Sequence, residues 1–380
     1  MSMRKILFIT GTRADFGKLK PLMRAVEACT EFRCMVFVTG MHTLRLYGET
    51  RHEVELAGFK DIHVFHNQFT NESMDHVLAN TIAGLSRYIH ETPPDLIVVH
   101  GDRVETLASA IVGALNNILV AHVEGGERSG TVDELIRHAV SKLSHAHFVA
   151  NREAAERLVQ MGESPETIFE IGSPDIDVMK SDALPTLEAA LKYYEVPFVD
   201  FGILLFHPVT TELEALAQQT DELLTAIEKS SLSWIVIYPN NDSGSKTILD
   251  AYNARLAGKP RFRIFPSIRF EYFLVLLKHA KVLLGNSSAG IREAPIYGIP
   301  SINVGSRQRL RYSGSEVVNV PFEENAILHA IESIGQREQN EHETSGGYFG
   351  EGDSANRFLD TVRSASFWQI PCQKHFRDIL

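Results

Sequence analysis

Cysteine is scarce in this chain. The three present, Cys29, Cys34 and Cys372, show no C-x-x-C spacing, which excludes a zinc knuckle and a disulfide framework and leaves ordinary reduced thiols. Long hydrophobic runs are missing too. The greasiest stretch, Phe273 to Leu284, is interrupted by Lys278, His279 and Lys281, and falls short of the ~20 apolar residues that span a bilayer, so no membrane span is predicted. Nor is there an excess of basic charge: 37 Lys and Arg stand against 48 Asp and Glu, a formal net charge of -11. A general nucleic-acid binder needs a basic face to displace phosphate counterions, so no nucleic-acid partner is expected, and an anionic ligand has to be held by local cations or helix ends. The apolar run Ile6 to Ile9 is too short and wrongly flanked for a signal peptide, which predicts a cytoplasmic protein. No short repeat or low-complexity tract appears.

What is there is a soluble globular composition, 44% hydrophobic and 22% charged, in 380 residues, a length at which two domains are the default. Short apolar, β-rich runs alternate with amphipathic helical stretches throughout, the grammar of parallel βαβ units. In the first half the expected strands are Lys5–Thr10, Cys34–Thr39, His63–Phe65, Leu96–His100, Leu119–Val123, His147–Ala150 and Ile168–Ile171. Around Ser173 to Pro197 the pattern loosens under Pro174, Pro185 and Pro197, which marks a hinge. The grammar restarts with Ile203–Phe206, Trp234–Tyr238, Arg263–Phe265, Val282–Leu284 and Ser301–Val304. The expectation is therefore an α/β protein of two Rossmann-like domains, 1–180 and 181–364, facing a central cleft. A glycine-rich loop at Ser345 to Gly352 precedes a closing helix near Asn356 to Arg363, and a C-terminal helix at about 365–380 is expected to pack back on the first domain.

The chemistry-bearing residues fall just after strands. The first strand runs into Gly11-Thr12-Arg13-Ala14-Asp15-Phe16-Gly17-Lys18 and a helix, a phosphate-loop context without a Walker A sequence, since Leu19 stands where Ser or Thr would hold magnesium. Two neighbouring strands end in His100-Gly101-Asp102-Arg103 and His122-Val123-Glu124-Gly125-Gly126. In each, the His and the acid are two apart and are expected on the same side of the strand, where they suit either a metal or an acid/base pair. Asp133 opens a helix, as a catalytic acid or as a cap. In the second half, Phe206-His207-Pro208 and Tyr238-Pro239-Asn240 follow strands. Gly285-Asn286-Ser287-Ser288-Ala289-Gly290-Ile291-Arg292-Glu293 lies between a strand and a helix. Small residues and hydroxyls at such a helix start bind a diphosphate, with Glu293 placed to accept from ribose hydroxyls.

Taken in order, GTRADFGKLKP, VTGMH, HGDR, HVEGGERSGTVDE, IRHAVSKLSH, GSPDIDVM, FHPVTTE, YPNND and GNSSAGIREAP resemble the hydrolysing UDP-N-acetylglucosamine 2-epimerases of bacterial sialic acid biosynthesis, over essentially the whole chain. The resemblance implies a glycosyltransferase-B-like fold and the net conversion of UDP-GlcNAc and water to ManNAc and UDP, with neither metal nor cofactor. It assigns Asp102, Glu124, Asp133 and His207 to catalysis, with His207 close to the diphosphate. Arg13, Gly17, Arg103, Asn240, Ser287, Ser288, Glu293 and Arg307 would contact UDP, and His42, His100 and His122 would line the sugar. It also implies a homodimer or a tetramer. A close bacterial branch takes UDP-2,4-diacetamido-2,4,6-trideoxyglucose instead, and no motif separates the two. A glycosyltransferase of the same architecture, a metal-dependent hydrolase and a silent nucleotide-sugar sensor are the rival readings; the first would need an acceptor, the second would lose turnover on chelation, and the third gains nothing from acids beside an anionic ligand.

Overall fold

The computed structural model of the chain describes residues 3–308, 311, 316–335, 347–375 and 377–378. Ser345 and Gly346 of the expected glycine-rich loop lie outside them. The chain divides into two compact units, one of Met1–Glu127, Val132–Asp182 and Gly347–Leu380, the other of Arg128–Thr131 and Ala183–Gly346.

The first unit is built on seven strands: β1 (Arg4–Thr10), β2 (Phe32–Val38), β3 (Ile62–Val64), β4 (Leu96–His100), β5 (Leu119–Val123), β6 (Ala146–Val149) and β7 (Ile168–Glu170). They form one parallel sheet in the order β3-β2-β1-β4-β5-β6-β7. Their continuous apolar runs follow from burial on both faces. Ile6, Phe8, Val36, Val98 and Ala121 enter one core, while Leu7, Ile9, Phe37, Ile97, Val99 and Val120 enter the other. Chain order reverses between β1 and β4, so the crevice beyond their carboxyl ends is the place where a doubly wound sheet admits a ligand.

The second unit repeats the plan with β8 (Phe201–Leu205), β9 (Ser233–Ile237), β10 (Phe262–Phe265), β11 (Leu283–Gly285), β12 (Ser301–Val304) and β13 (Val317–Val320), parallel in the order β10-β9-β8-β11-β12-β13. Its reversal falls between β8 and β11. The strand β13 is additional to those expected.

Residues 347–364 join the first unit rather than the second. The helix Ser354–Arg363 puts Phe358 and Val362 into the core of β1, β4 and β6, and Phe367 follows. Phe358 lies 4.7 Å from the ring of Phe148, and complete burial of such a side chain contributes roughly 1.5–3 kcal/mol. The Asp177 carboxylate, from the helix Pro174–Met179, accepts from the amides of Ser354 (3.0 Å) and Ala355 (2.8 Å), which fixes where the helix starts. Beyond it, the described residues of the expected 365–380 helix form only a short 3-10 turn, Phe367–Gln369. Among the described residues no helix is long and apolar enough to cross a membrane.

Candidate active site

At the switch point of the first unit, β1 leads through Gly11 and Thr12 directly into the helix Arg13–Ala28. The Thr12 hydroxyl caps it, accepting from Asp15 N at 3.1 Å. The glycine pair therefore frames no phosphate loop: Gly17 sits in the second turn, where its amide belongs to the helix ladder. Asp15 is set in the first turn and points to the end of β4.

The regular strands stop at His100 and Val123, and the next turns are left-handed, with Gly101 at φ 73° and Glu124 at φ 64°. Left-handed backbone breaks the alternation of side chains, so His100 does not pair with Asp102, nor His122 with Glu124. His100 instead crosses to the neighbouring strand. Its Nε2 lies 3.1 Å from Glu124 Oε2, and its Nδ1 lies 3.4 Å from Asp15 Oδ1. The other Glu124 oxygen, Oε1, accepts from the Ser173 hydroxyl. Burial alone would lower the His100 pKa, but the Glu124 charge and the Asp15 hydrogen bond outweigh it and lift the imidazole to about 9, which makes it a cation at neutral pH. Burial likewise opposes the Asp15 charge, yet the His100 contact, with Arg103 adding to it, holds that carboxyl below its usual range.

Asp102 is gripped by Arg137, from the helix Val132–Leu143. Arg137 Nη2 meets Asp102 Oδ2, Nη1 donates to the Glu124 carbonyl at 2.6 Å, and Glu127 Oε2 lies 3.6 Å from Nη1. One buried guanidinium thus ties together the two strand-end acids. Asp133, half-buried, lies one helical turn before Arg137 and on the same face.

His122 is fully buried, with Nε2 2.8 Å from Gly101 O and Nδ1 3.0 Å from Ser141 Oγ. Burial pushes its pKa down to about 3. A carbonyl can only accept, so the neutral ring carries its proton on Nε2 and Ser141 donates to Nδ1. His42 is also fully buried, between Thr10 (2.9 Å) and Thr50 (2.7 Å), with burial lowering it to about 4. Both rings have their nitrogens taken up within the unit and serve as scaffold: His122 fixes the Gly101 turn that carries Asp102. Arg13 is paired with Glu53, and Arg103 Nε lies 3.4 Å from Glu105 Oε2 at the start of the helix Val104–Leu115. Among the described residues, no group of three or more His, Cys, Asp or Glu side chains is arranged to hold a metal.

The second unit places its residues at its own switch point. His207 follows β8, and Asn286 follows β11. They are locked together, His207 N donating to Asn286 Oδ1 and Asn286 Nδ2 to His207 O, both at 2.8 Å. His207 Nδ1 accepts from Asn240 N at 3.1 Å, which puts the proton of the neutral ring on Nε2. The close approach requires glycine at 285: at φ 134° an added Cβ would stand 1.9 Å from Leu205 O. Ser287 and Ser288 are half-buried in a 3-10 turn, Ser288–Gly290, and Glu293 begins a helix of only four residues, Glu293–Ile296. The long helix start expected behind these serines is absent, because Gly290, Pro295 and Gly298 keep the segment in short turns. Arg307 Nη1 (3.2 Å) and Gln308 Nε2 (2.8 Å) both donate to Asn286 O.

The model of the family described as UDP-N-acetylglucosamine 2-epimerase matches residues 24–363. The chain belongs to that family. Over 99% of its length this epimerase-family chain is 49% identical to the UDP-N-acetylglucosamine 2-epimerase of Neisseria meningitidis serogroup B, all of which is covered. It is 36% identical to a UDP-N,N'-diacetylbacillosamine 2-epimerase (hydrolyzing) of Legionella pneumophila, across 86% of this chain and 88% of that one. In fold it is similar to S. aureus MnaA solved with UDP, at a TM-score of 0.77 and 20% identity, covering 99% of this chain and 100% of that one.

The motif reading had no role for Asp15, Arg137, Ser141 or Ser173. All four lie inside the motifs quoted for the family, Asp15 in GTRADFGKLKP, Arg137 and Ser141 in IRHAVSKLSH, and Ser173 in GSPDIDVM. A polar residue inside an otherwise amphipathic helix face, as Arg137 and Ser141 are at i and i+4, was the available signal.

Proposed function

We propose that this member of the epimerase family is of the hydrolysing type, converting UDP-GlcNAc and water to ManNAc and UDP, the sugar from which sialic acid is built. The observation that carries it is the pair of strand-end carboxylates, Asp102 and Glu124, joined through Arg137 in a largely buried setting. A mere binder of an anionic nucleotide has no use for them.

The chemistry follows from the substrate. The C2 proton is not beside a carbonyl, so it becomes acidic only as the anomeric C–O bond ionises. One carboxylate removes that proton while the bond to UDP breaks, and the electron pair forms the C1=C2 bond of 2-acetamidoglucal. The second directs water to C1, whose oxygen adds there while C2 is reprotonated on the opposite face. In this reading Asp102 and Glu124 divide the proton transfers and Asp133 supports them. Arg13, Arg103, Asn240, Ser287, Ser288, Glu293 and Arg307 hold UDP, and His207 Nε2–H stabilises the departing diphosphate. The enzyme works in the cytoplasm as a homodimer.

The end-to-end 49% identity favours UDP-GlcNAc over the diacetamido sugar of the 36% relative. Incubation with each UDP-sugar in deuterated water, followed by NMR of the released sugar, tests the reading. ManNAc carrying deuterium at C2 is expected; release of the diacetamido sugar alone moves the assignment to the other branch, and absence of turnover without an acceptor refutes hydrolysis. Full activity in both D102N and E124Q would remove the two acids from the mechanism.

A further inference from the structure

We propose that Asp15 is a positioning residue for the epimerase reaction, holding His100 so that its ring fixes the Glu124 carboxylate at the end of β5. The inference rests on the hydrolytic epimerase reading and adds to it two residues with defined tasks, one previously without a role and one assigned to the sugar.

The geometry is a four-member array within the first unit. Asp15 Oδ1 lies 3.4 Å from His100 Nδ1, His100 Nε2 lies 3.1 Å from Glu124 Oε2, and Glu124 Oε1 accepts from Ser173 Oγ. Each member comes from a different element: the first helix, β4, the turn after β5, and the residue before the helix Pro174–Met179. Glu124 is 3% exposed and His100 7%. At the tip of the Glu124 carboxylate the ion pair with His100 holds one oxygen and the hydrogen bond from the Ser173 hydroxyl holds the other. As a cation the His100 ring presents an N–H to each acid, Nε2 toward Glu124 and Nδ1 toward Asp15, so Asp15 both satisfies Nδ1 and supports the charge. Asp15 is itself fixed by the Thr12 cap at its amide.

The charged groups around His100 are Asp15 from the first helix and Glu124 from the turn after β5; Arg103, at the start of the next helix, acts on Asp15, which in turn acts on the buried, neutral His42, and neutral His122 lies on the adjoining strand. The two acids keep the ring protonated up to about pH 9. The His100 cation is present below that value and is lost as pH rises through it, which defines a basic limb for turnover. Removing the Asp15 charge leaves only Glu124 to support the cation, and the limb moves to lower pH.

Asp15→Asn keeps the shape and removes the charge. The expected result is a fall in kcat of roughly tenfold or more, with KM for UDP-GlcNAc within about threefold and the basic limb at least about one pH unit lower. His100→Gln, which keeps a donor toward Glu124 without a titrating ring, is expected to lose that limb. NMR titration of the His100 ring in wild type and D15N reads the coupling without turnover, so it stands even if the substrate is another UDP-sugar. An unchanged His100 titration in D15N, or a fall in kcat with the limb unmoved, overturns the proposal.

Discussion

Replacing Arg137 tests the site most directly, because one side chain contacts both strand-end acids or their backbone. Arg137→Met keeps the stem and removes the guanidinium. Its hydrogen bond to the Glu124 carbonyl, 2.6 Å and charge-assisted, is worth about 1.5–3 kcal/mol. The ion pair with Asp102 involves a carboxylate that is 21% exposed against 4% for Arg137, so water partly replaces the lost partner and the cost lies at the lower end of the roughly 3–5 kcal/mol for a broken buried pair. Allowing for the overlap of these two terms, a loss of about 3–5 kcal/mol in kcat/KM corresponds to about two to three and a half powers of ten. Arg137→Lys keeps one contact at a time and should lose about one to two powers of ten. Steady-state release of UDP from UDP-GlcNAc measures both, and thermal unfolding checks that the variants are folded. The loss should fall on kcat, since Arg137 is assigned no contact with UDP. If R137M keeps kcat within about threefold, or if R137M and D102N combine additively in a double-mutant cycle, the coupling inferred from the geometry is wrong.

Three further outcomes follow from other contacts. Glu163, 2% exposed and bound by Lys142 (2.7 Å), Lys374 (2.6 Å) and His147 (3.1 Å), has its carboxyl held down at about 2, because these partners outweigh burial. A depressed carboxyl contributes stability above its unfolded pKa and loses it as pH falls toward 2, so wild type should exceed E163Q by roughly 1–3 kcal/mol at pH 7 in urea unfolding, after discounting for the exposed lysines, with the gap closing below about pH 4.5; a gap independent of pH would count against the pairing. Gly285→Ala should abolish UDP binding in calorimetry, since the added methyl meets Leu205 O; wild-type affinity would mean that the Asn286–His207 lock is dispensable. Phe358→Ala should destabilise the first unit by about 3–5 kcal/mol, and a change below about 1 kcal/mol would show that the helix Ser354–Arg363 is only loosely attached.

The sheets were legible because strands buried on both faces leave nearly unbroken apolar runs: Leu96–His100 and Leu119–Val123 coincide in sequence and structure to the residue. The four-residue β13 (VVNV), with a polar residue in so short a run, gave no comparable signal. In the site, the alternation rule placed the right residues on the right strands and then failed beyond their last regular residue, where Gly101 and Glu124 turn left-handed. What pairs with what was not local information: Asp15 and His100 are 85 residues apart, and Glu124 and Ser173 are 49 apart. The membership of residues 347–364 in the first unit was hidden for the same reason, since proximity in sequence favoured the second.

That last feature has a bearing on how the protein is made. The second unit is essentially one uninterrupted stretch, Ala183–Gly346, with only Arg128–Thr131 contributed from earlier. The first lacks Phe358, Val362 and Phe367 until those residues emerge from the ribosome, although its sheet was translated long before. Domains fold as units during synthesis, so the later-translated half completes its interior first, and the half bearing the acids waits with an unfilled groove against β1, β4 and β6. Premature termination before residue 354 would therefore harm the part of the molecule that was synthesised first.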